Sequence, residues 1–233
     1  MTAGDLFIEG AITRGGPDGA SQTYRYRLLV AEGPGPYPLV LFLHGAGERG
    51  DDNTVQLAYL PEILARPETR KRFPAHVLAP QCPPGRSWSK RTWALENPPI
   101  LPDALPALVE EVAGRYAVDR SRLYLTGLSM GGFGAWELAA RMPGLWAAVV
   151  PICGGGDPLD APRLKDLPIW AFHGAEDDVV PPERSREMID AIRAARGKAM
   201  YSELEGVGHD SWTPAYESDE LLEWIFAQKS VRR

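Results

Sequence analysis

The feature that most constrains the fold is a pentapeptide of the form Gly-x-Ser-x-Gly, which runs from Gly127 to Gly131. It follows the apolar run Leu123–Thr126, which predicts a strand, and it precedes an Ala-rich segment that predicts a helix to about Met142. A serine on so sharp a turn has strained backbone geometry, and the residues two positions to either side must lack bulk so that strand and helix can pass closely. The pattern indicates a nucleophile elbow with Ser129 as the nucleophile. A Gly-rich turn whose serine only caps the helix is the alternative.

Strand-like and helix-like patterns alternate along most of the chain. This alternation predicts an α/β fold with a mainly parallel, doubly wound, eight-stranded sheet and right-handed crossovers. No repeat, low-complexity tract or linker divides the sequence, so residues 1–233 are expected to form a single domain. The predicted strands are Leu6–Thr13, Thr23–Ala31, Leu39–Leu43, His76–Ala79, Leu123–Thr126, Ala147–Ile152, Ile169–His173 and Ala199–Leu204. Besides the helix after Ser129, the predicted helices are Pro102–Tyr116, Pro182–Arg196 and Ser218–Lys229.

Charge and apolar patterning argue against several classes of function. The net charge of −6 is unfavourable for a surface that binds nucleic acid or an anionic membrane. No apolar run approaches the roughly 18–20 residues that span a bilayer, and the first residues lack the pattern of a secretory signal, so a cytoplasmic location is expected. The two cysteines, Cys82 and Cys153, each follow a predicted strand and are expected to be free thiols.

A second glycine-rich loop, His44–Gly50, follows the predicted strand Leu39–Leu43. Its glycines match a dinucleotide-binding fingerprint, but the acidic residues Asp51 and Asp52 stand where a helix should receive a pyrophosphate. The better interpretation is a loop whose backbone N–H helps to hold a developing oxyanion, with the N–H of Met130 as the second donor. An ordinary glycine-rich turn is the remaining alternative.

Two late loops contain a candidate acid and a candidate base. Asp177 follows the predicted strand Ile169–His173, at the strand end where a triad carboxylate is expected, and Asp178 is the neighbouring candidate. His209 lies in the loop between the last strand and the terminal helix and is the candidate general base. Solvated loop acids and a surface histidine are the alternatives. The spacing of the four histidines suggests no metal site, and no cofactor is expected.

The chain order Ser129, Asp177, His209 is the order found in α/β-hydrolases. The sequence resembles that superfamily from about Tyr24 to Trp224. Within the superfamily it resembles the phospholipase/carboxylesterase and "predicted peptidase" group, which is close to dienelactone hydrolases and to the catalytic domain of prolyl oligopeptidases. The segments that carry this resemblance are Leu43–Gly50, Ala79–Cys82, Gly127–Gly134 and Pro151–Asp157. Dienelactone hydrolases use a cysteine nucleophile whereas this chain has a serine, so their specific activity is not implied.

The resemblance also implies a topology and a set of site residues. The implied sheet order is 1-2-4-3-5-6-7-8, with strand 2 antiparallel. The nucleophile corresponds to Ser129, the acid to Asp177 and the base to His209. The two oxyanion donors correspond to the backbone N–H groups of Ala46 and Met130.

The predicted function is that of a serine carboxylesterase, which hydrolyses small, soluble esters with short-chain acyl or aryl groups through an acyl-enzyme. Only Gly154–Leu167 separates two predicted strands at the usual position of a lid, so no large lid is expected. Trp88 and Trp212 are candidates for lining the substrate pocket, and Trp93 is a weaker one, although tryptophans also fill cores. A serine peptidase or amidase of the prolyl-oligopeptidase-like type and a non-catalytic binding module are the alternatives. The expected partner is a small-molecule ester, and the oligomeric state is left open.

Overall fold

One sheet of eight strands organises the computed structural model, which describes residues 3–15, 21–90 and 104–230. The strands follow the order β1-β2-β4-β3-β5-β6-β7-β8. Strand β2 is antiparallel to both β1 and β4, and the remaining neighbours pair in parallel. The expected sheet order and the antiparallel second strand are both confirmed. The strands are β1 Phe7–Gly15, β2 Ser21–Leu29, β3 Tyr37–Leu43, β4 His76–Pro80, β5 Val118–Leu128, β6 Ala148–Ile152, β7 Trp170–Gly174 and β8 Met200–Leu204.

Helices cover both faces of the sheet. They are α1 Leu60–Ala65, α2 Pro67–Arg72, α3 Ala104–Arg115, α4 Met130–Arg141, α5 Ala161–Leu164, α6 Glu183–Ala194, α7 Trp212–Tyr216 and α8 Asp219–Ala227. Buried apolar residues of α3, α4, α5 and α6 belong to one core cluster, and those of α1, α7 and α8 belong to a second. In the central strand β3, Leu39, Leu41 and Leu43 join the first cluster, while Val40 and Phe42 join the second. Burial on both faces is typical of a parallel sheet between two helical layers, so the predicted α/β fold is confirmed.

Most predicted elements are observed with boundaries that differ by a few residues. Strand β5 differs most, because it begins at Val118 rather than at Leu123. Helices α1 and α2 are not predicted by the sequence patterns; each has six residues and a proline, Pro61 or Pro67, in its first turn. Segments this short contain fewer than two helical turns, which is too few for a periodic apolar pattern. The predicted helix Pro102–Tyr116 begins outside the described residues and is observed as α3.

Two expectations about loops are confirmed. The connection between β6 and β7 contains only the 3-10 helix Pro158–Asp160 and the four-residue α5, so it holds no lid domain. Cys82 and Cys153 are buried free thiols after β4 and β6, with β3 and β5 lying between those two strands.

Across the described ranges, none of the helices has the length and apolar character needed to cross a bilayer.

The close crossing of strand and helix at the elbow makes Gly131 a sensitive position. A Cβ atom added there would lie 1.9 Å from the carbonyl oxygen of Leu43, which is backbone at the end of β3. We therefore expect Gly131→Ala to lower the free energy of unfolding by about 3 kcal/mol, because α4 must shift away from the sheet. Urea unfolding followed by circular dichroism measures this change.

Gly114→Ala is the matched control for that variant. Gly114 is exposed in α3, and an added Cβ would meet nothing within 4 Å. Alanine there should raise the free energy of unfolding by about 0.5–1 kcal/mol, because glycine is the poorer helix former. Equal changes in the two variants would contradict the close-crossing argument.

Candidate active site

Ser129 lies in a strained turn between β5 and α4. Its backbone has φ 51° and ψ −117°, a region that residues with a Cβ atom rarely adopt. The Ser129 N–H donates to the carbonyl oxygen of Ile152 at 2.9 Å and to Cys153 Sγ at 3.3 Å, and these contacts hold the turn against β6. The Ser129 side chain makes no capping hydrogen bond to α4, which argues against a role as a helix cap alone.

A chain of hydrogen bonds joins Ser129, His209 and Asp177. His209 Nε2 lies 3.0 Å from Ser129 Oγ, and His209 Nδ1 lies 2.7 Å from Asp177 Oδ2. A carboxylate can only accept, so Nδ1 carries the proton and Nε2 is free to accept from the serine hydroxyl. The second carboxylate oxygen of Asp177 accepts the backbone N–H groups of Val179 and Val180, each at 2.9 Å. This arrangement can take a proton from Ser129 and stabilise the imidazolium that results.

The two neighbouring aspartates have different surroundings. Asp177 is 6% exposed and contacts the candidate base, whereas Asp178 is exposed to solvent. Asp177 Oδ2 also lies 3.2 Å from Nε2 of the buried His173. Burial lowers the pKa of His173, so this second ring stays neutral at pH 7 and leaves the negative charge of Asp177 available to His209.

The two predicted oxyanion donors both begin helical segments next to Ser129. Ala46 is the first residue of the 3-10 helix Ala46–Glu48, and Met130 is the first residue of α4. The first N–H groups of a helix have no partner within that helix, so they are available to negative charge. The two loops approach closely, since a Cβ atom added at Gly45 would lie 3.8 Å from Ser129 Cβ. Both residues are therefore beside the nucleophile, and their role as donors stays a prediction.

Buried aromatic residues fix the loop that contains Ala46. His44 Nδ1 lies 2.6 Å from the carbonyl oxygen of Gly45, and His44 Nε2 accepts from the Cys82 N–H at 2.9 Å. Burial lowers the pKa of His44 to about 4, which keeps the ring neutral and preserves both contacts. Trp88 Nε1 donates to the carbonyl oxygen of His44 at 2.8 Å, and the Trp88 side chain is 5% exposed. These contacts make Trp88 a support of the loop, and its contact with substrate stays a prediction.

Trp212 lies beside the candidate base. The ring centroids of His209 and Trp212 are 5.3 Å apart, and the two ring planes are nearly perpendicular at 86°. This contact brings Trp212 into the region that the sequence analysis assigned to it, although contact with substrate stays a prediction. Trp93, the weaker candidate, lies outside the described residues.

Two further residues, Tyr59 and Glu48, lie near Trp212 and the oxyanion loop without a sequence pattern that predicts this. The Tyr59 ring centroid is 5.6 Å from that of Trp212, and Tyr59 has a left-handed φ of 69°. Glu48 ends the 3-10 helix of the oxyanion loop, and burial raises the pKa of its carboxyl. No local pattern marks Tyr59, because only the tertiary fold brings it to Trp212. Glu48 lies in the loop His44–Gly50. The glycines of this loop indicate backbone N–H donors and do not indicate a role for the Glu48 side chain.

One group of side chains within the described ranges has the composition of a metal site. The ligand atoms of Cys153, Asp177 and His209 lie within 4.8 Å of one another. Asp177 and His209 already hydrogen-bond each other. The Cys153 thiol is buried, and its Sγ accepts from the Ser129 N–H at 3.3 Å, so all three side chains already have partners within the protein. The chemistry of the group therefore suits proton transfer better than metal binding.

Known proteins related to this chain include several hydrolases. The family model described as "Dienelactone hydrolase family" matches residues 58–219, which is more than half of the chain and includes Ser129, Asp177 and His209. An Escherichia coli (strain K12) protein provisionally named a carboxymethylenebutenolidase is 30% identical over 132 residues, which cover 48% of this chain and 49% of that protein. The chain therefore spans about half the length of this curated relative.

Solved structures extend the comparison to almost the whole chain. The crystal structure of a thermostable esterase is 41% identical with a TM-score of 0.86, and the match covers 97% of this chain and 64% of that one. The acylaminoacyl peptidase of Pyrococcus horikoshii is 14% identical with a TM-score of 0.69, over 98% of this chain and 42% of that one, and it shares the fold. The chain therefore belongs to the dienelactone hydrolase family, within the α/β-hydrolase superfamily.

Proposed function

We propose that this chain is a serine carboxylesterase that cleaves small, soluble esters with short-chain acyl or aryl groups. The observation that carries the proposal is the continuous hydrogen-bonded path from Ser129 Oγ through His209 to the buried carboxylate of Asp177. Membership of the dienelactone hydrolase family and the likeness to a thermostable esterase support the cleavage of ester bonds.

In the proposed first half-reaction, Ser129 Oγ attacks the ester carbonyl while His209 Nε2 takes the hydroxyl proton. Asp177 keeps the imidazole in the tautomer that carries Nδ1–H and stabilises its charged form. The carbonyl oxygen becomes an oxyanion, held by the N–H groups of Ala46 and Met130, and each such donor typically contributes about 3–4 kcal/mol in the transition state. The imidazolium then protonates the leaving alcohol, and an acyl-enzyme remains.

In the second half-reaction, water attacks the acyl-enzyme while His209 acts as general base. The carboxylic acid leaves, and the Ser129 hydroxyl is restored. The short connection between β6 and β7 supports the proposal that the substrates are small. Its only helical segments are Pro158–Asp160 and α5, and these form no lid that could enclose a long lipid chain.

We also propose that residues 1–233 act as a single domain in the cytoplasm. A single sheet runs from β1 to β8, and buried apolar clusters cover both of its faces, as expected for one folding unit. The buried free thiols Cys82 and Cys153 suit a reducing compartment.

The test compares p-nitrophenyl esters of increasing acyl length with an aminoacyl p-nitroanilide. We expect kcat/KM to be highest for acetate or butyrate and at least about tenfold lower for decanoate, because a small acyl site cannot accommodate the longer chain without steric conflict. No turnover of the anilide is expected. A kcat/KM for the anilide equal to that for the best ester would favour a peptidase, and a maximum at decanoate would contradict the short-chain assignment.

A further inference from the structure

A second histidine contacts the proposed catalytic acid from inside the protein. His173 is the fourth residue of β7, and its side chain is fully buried. Its Nε2 lies 3.2 Å from Asp177 Oδ2, the oxygen that also lies 2.7 Å from His209 Nδ1. One carboxylate oxygen therefore lies between two imidazole rings, and His209 is the ring that reaches Ser129.

The surroundings of His173 determine which of its two ring nitrogens carries the proton. Nε2 lies 2.9 Å from the carbonyl oxygen of Val180 as well as 3.2 Å from Asp177 Oδ2, and both of these oxygens can only accept. A lone pair on Nε2 would face two acceptors, one of them charged. Burial lowers the pKa of His173, so the ring is neutral, and its single proton lies on Nε2 and is shared between the two oxygens.

Ser185 on α6 completes the contacts of this ring. Its Oγ lies 2.7 Å from His173 Nδ1 and 3.1 Å from the carbonyl oxygen of Gly154, and the Ser185 side chain is itself fully buried. A hydroxyl has one hydrogen to donate, and a neutral ring with the proton on Nε2 must accept at Nδ1. The hydrogen therefore goes to the closer partner, the ring. Both nitrogens of His173 then have partners, which fixes the plane of the imidazole.

The Nε2–H of His173 holds the free side of the Asp177 carboxylate. Asp177 Oδ1 accepts from the N–H groups of Val179 and Val180, each at 2.9 Å, so the backbone of the turn fixes this oxygen. Oδ2 instead faces two side chains, His209 and His173. His209 gains and loses a proton in each half-reaction of the proposed mechanism. A neutral His173 keeps the same proton throughout, so it is a constant donor to Oδ2 while the charge of His209 changes.

We propose that His173 is a positioning residue for the reaction, whose Nε2–H holds the carboxylate of Asp177 in the orientation from which Oδ2 accepts from His209; this inference rests on the proposed esterase function. Because His173 is fully buried, it does not touch the substrate, so its loss should lower kcat and leave KM nearly unchanged. A ring that only fills space would depend on its size and not on the nitrogen that faces Asp177.

Two amide substitutions separate these two roles. The side-chain nitrogen of His173→Gln can take the place of Nε2 and donate to Asp177, whereas the shorter side chain of His173→Asn places its amide near the former Nδ1, beside Ser185. We expect His173→Asn to lower kcat for p-nitrophenyl acetate by about 10- to 100-fold, because the carboxylate is no longer held in place. His173→Gln should retain kcat within about threefold of the wild type. KM should change less than about threefold in both variants.

His76→Asn and His76→Gln are the matched controls. His76 is 2% exposed and begins β4, at the end of the parallel strands opposite to the proposed site. Its Nδ1 accepts from the Ala31 N–H at 3.2 Å, so these variants also remove a buried, hydrogen-bonded imidazole. Their kcat should stay within about twofold of the wild type. Circular dichroism confirms that each variant is folded before rates are compared.

The position of the proton on His173 can be measured without any assay of activity. The chain has four histidines, and long-range proton–nitrogen NMR correlations distinguish the two neutral forms of each ring. Single glutamine substitutions assign the signals, and a histidine whose variant does not fold is assigned by elimination. We expect the wild-type His173 ring to be neutral with its proton on Nε2 at pH 7.

Three outcomes would overturn the positioning role. A neutral His173 ring with its proton on Nδ1 would do so, because Nε2 could not then donate to Asp177. Equal kcat values in folded His173→Gln and His173→Asn would do so as well, because only the glutamine keeps a donor at that place. Both results leave the esterase proposal standing. If the wild-type protein hydrolyses no ester, the proposed function fails and the role of His173 in it fails too, even where NMR finds the proton on Nε2.

Discussion

Ser129→Ala is expected to lower kcat/KM for p-nitrophenyl acetate by about 10⁴- to 10⁶-fold. Alanine has no oxygen to attack the carbonyl, so the acyl-enzyme cannot form. The Ser129→Ala variant can still bind the substrate and hold the proposed oxyanion next to Met130. These two effects alone give a small residual rate of direct hydrolysis by water. The measurement is the initial rate of p-nitrophenolate release at saturating and at low substrate concentrations.

The same reasoning predicts how the loss of kcat/KM in Ser129→Ala combines with the loss in His209→Ala. His209→Ala should cost a similar factor, and the double variant should cost little more than either single one, because the two groups act as one unit. Ser21→Ala, at the exposed start of β2, is the matched control and should leave turnover unchanged. If Ser129→Ala stays within tenfold of the wild-type rate, another residue is the nucleophile.

The fold could be predicted because its strongest signals are local. The central strand β3 is buried on both faces, so it appears in the sequence as the continuous apolar run Leu39–Leu43. The elbow is equally local, since Gly127 and Gly131 must lack side chains for β5, α4 and β3 to approach one another. The connection Val55–Phe73 had no such signal. Its helices are short, and its apolar residues, such as Leu60 and Ile63, are buried in a core cluster whose other members, such as Tyr216, are distant along the chain.

The candidate site could be predicted in part for a related reason. The carboxyl ends of parallel strands meet at the same edge of the sheet, and Ser129, Asp177 and His209 follow the parallel strands β5, β7 and β8 along the chain. The sequence favoured Asp177, four residues after His173, and kept Asp178 as a second candidate, because both follow β7; in the structure Asp177 is buried and Asp178 is exposed. The position of Tyr59 could not be predicted from the sequence, because its contact with Trp212 joins segments that are remote along the chain.

Asp177→Asn is expected to lower kcat by about 10⁴-fold, whereas Asp178→Asn should change it less than about twofold. In the Asp177→Asn variant, the side-chain amide can keep its carbonyl oxygen toward the N–H groups of Val179 and Val180, so the loop keeps its hydrogen bonds. The amide NH₂ then faces His209 Nδ1 in place of the carboxylate oxygen and forces the proton to Nε2. In that tautomer Nε2 cannot accept from Ser129, so the base is lost while the geometry survives. A larger loss in Asp178→Asn than in Asp177→Asn would reverse the assignment, because the exposed Asp178 would then have to reach His209 in the working enzyme.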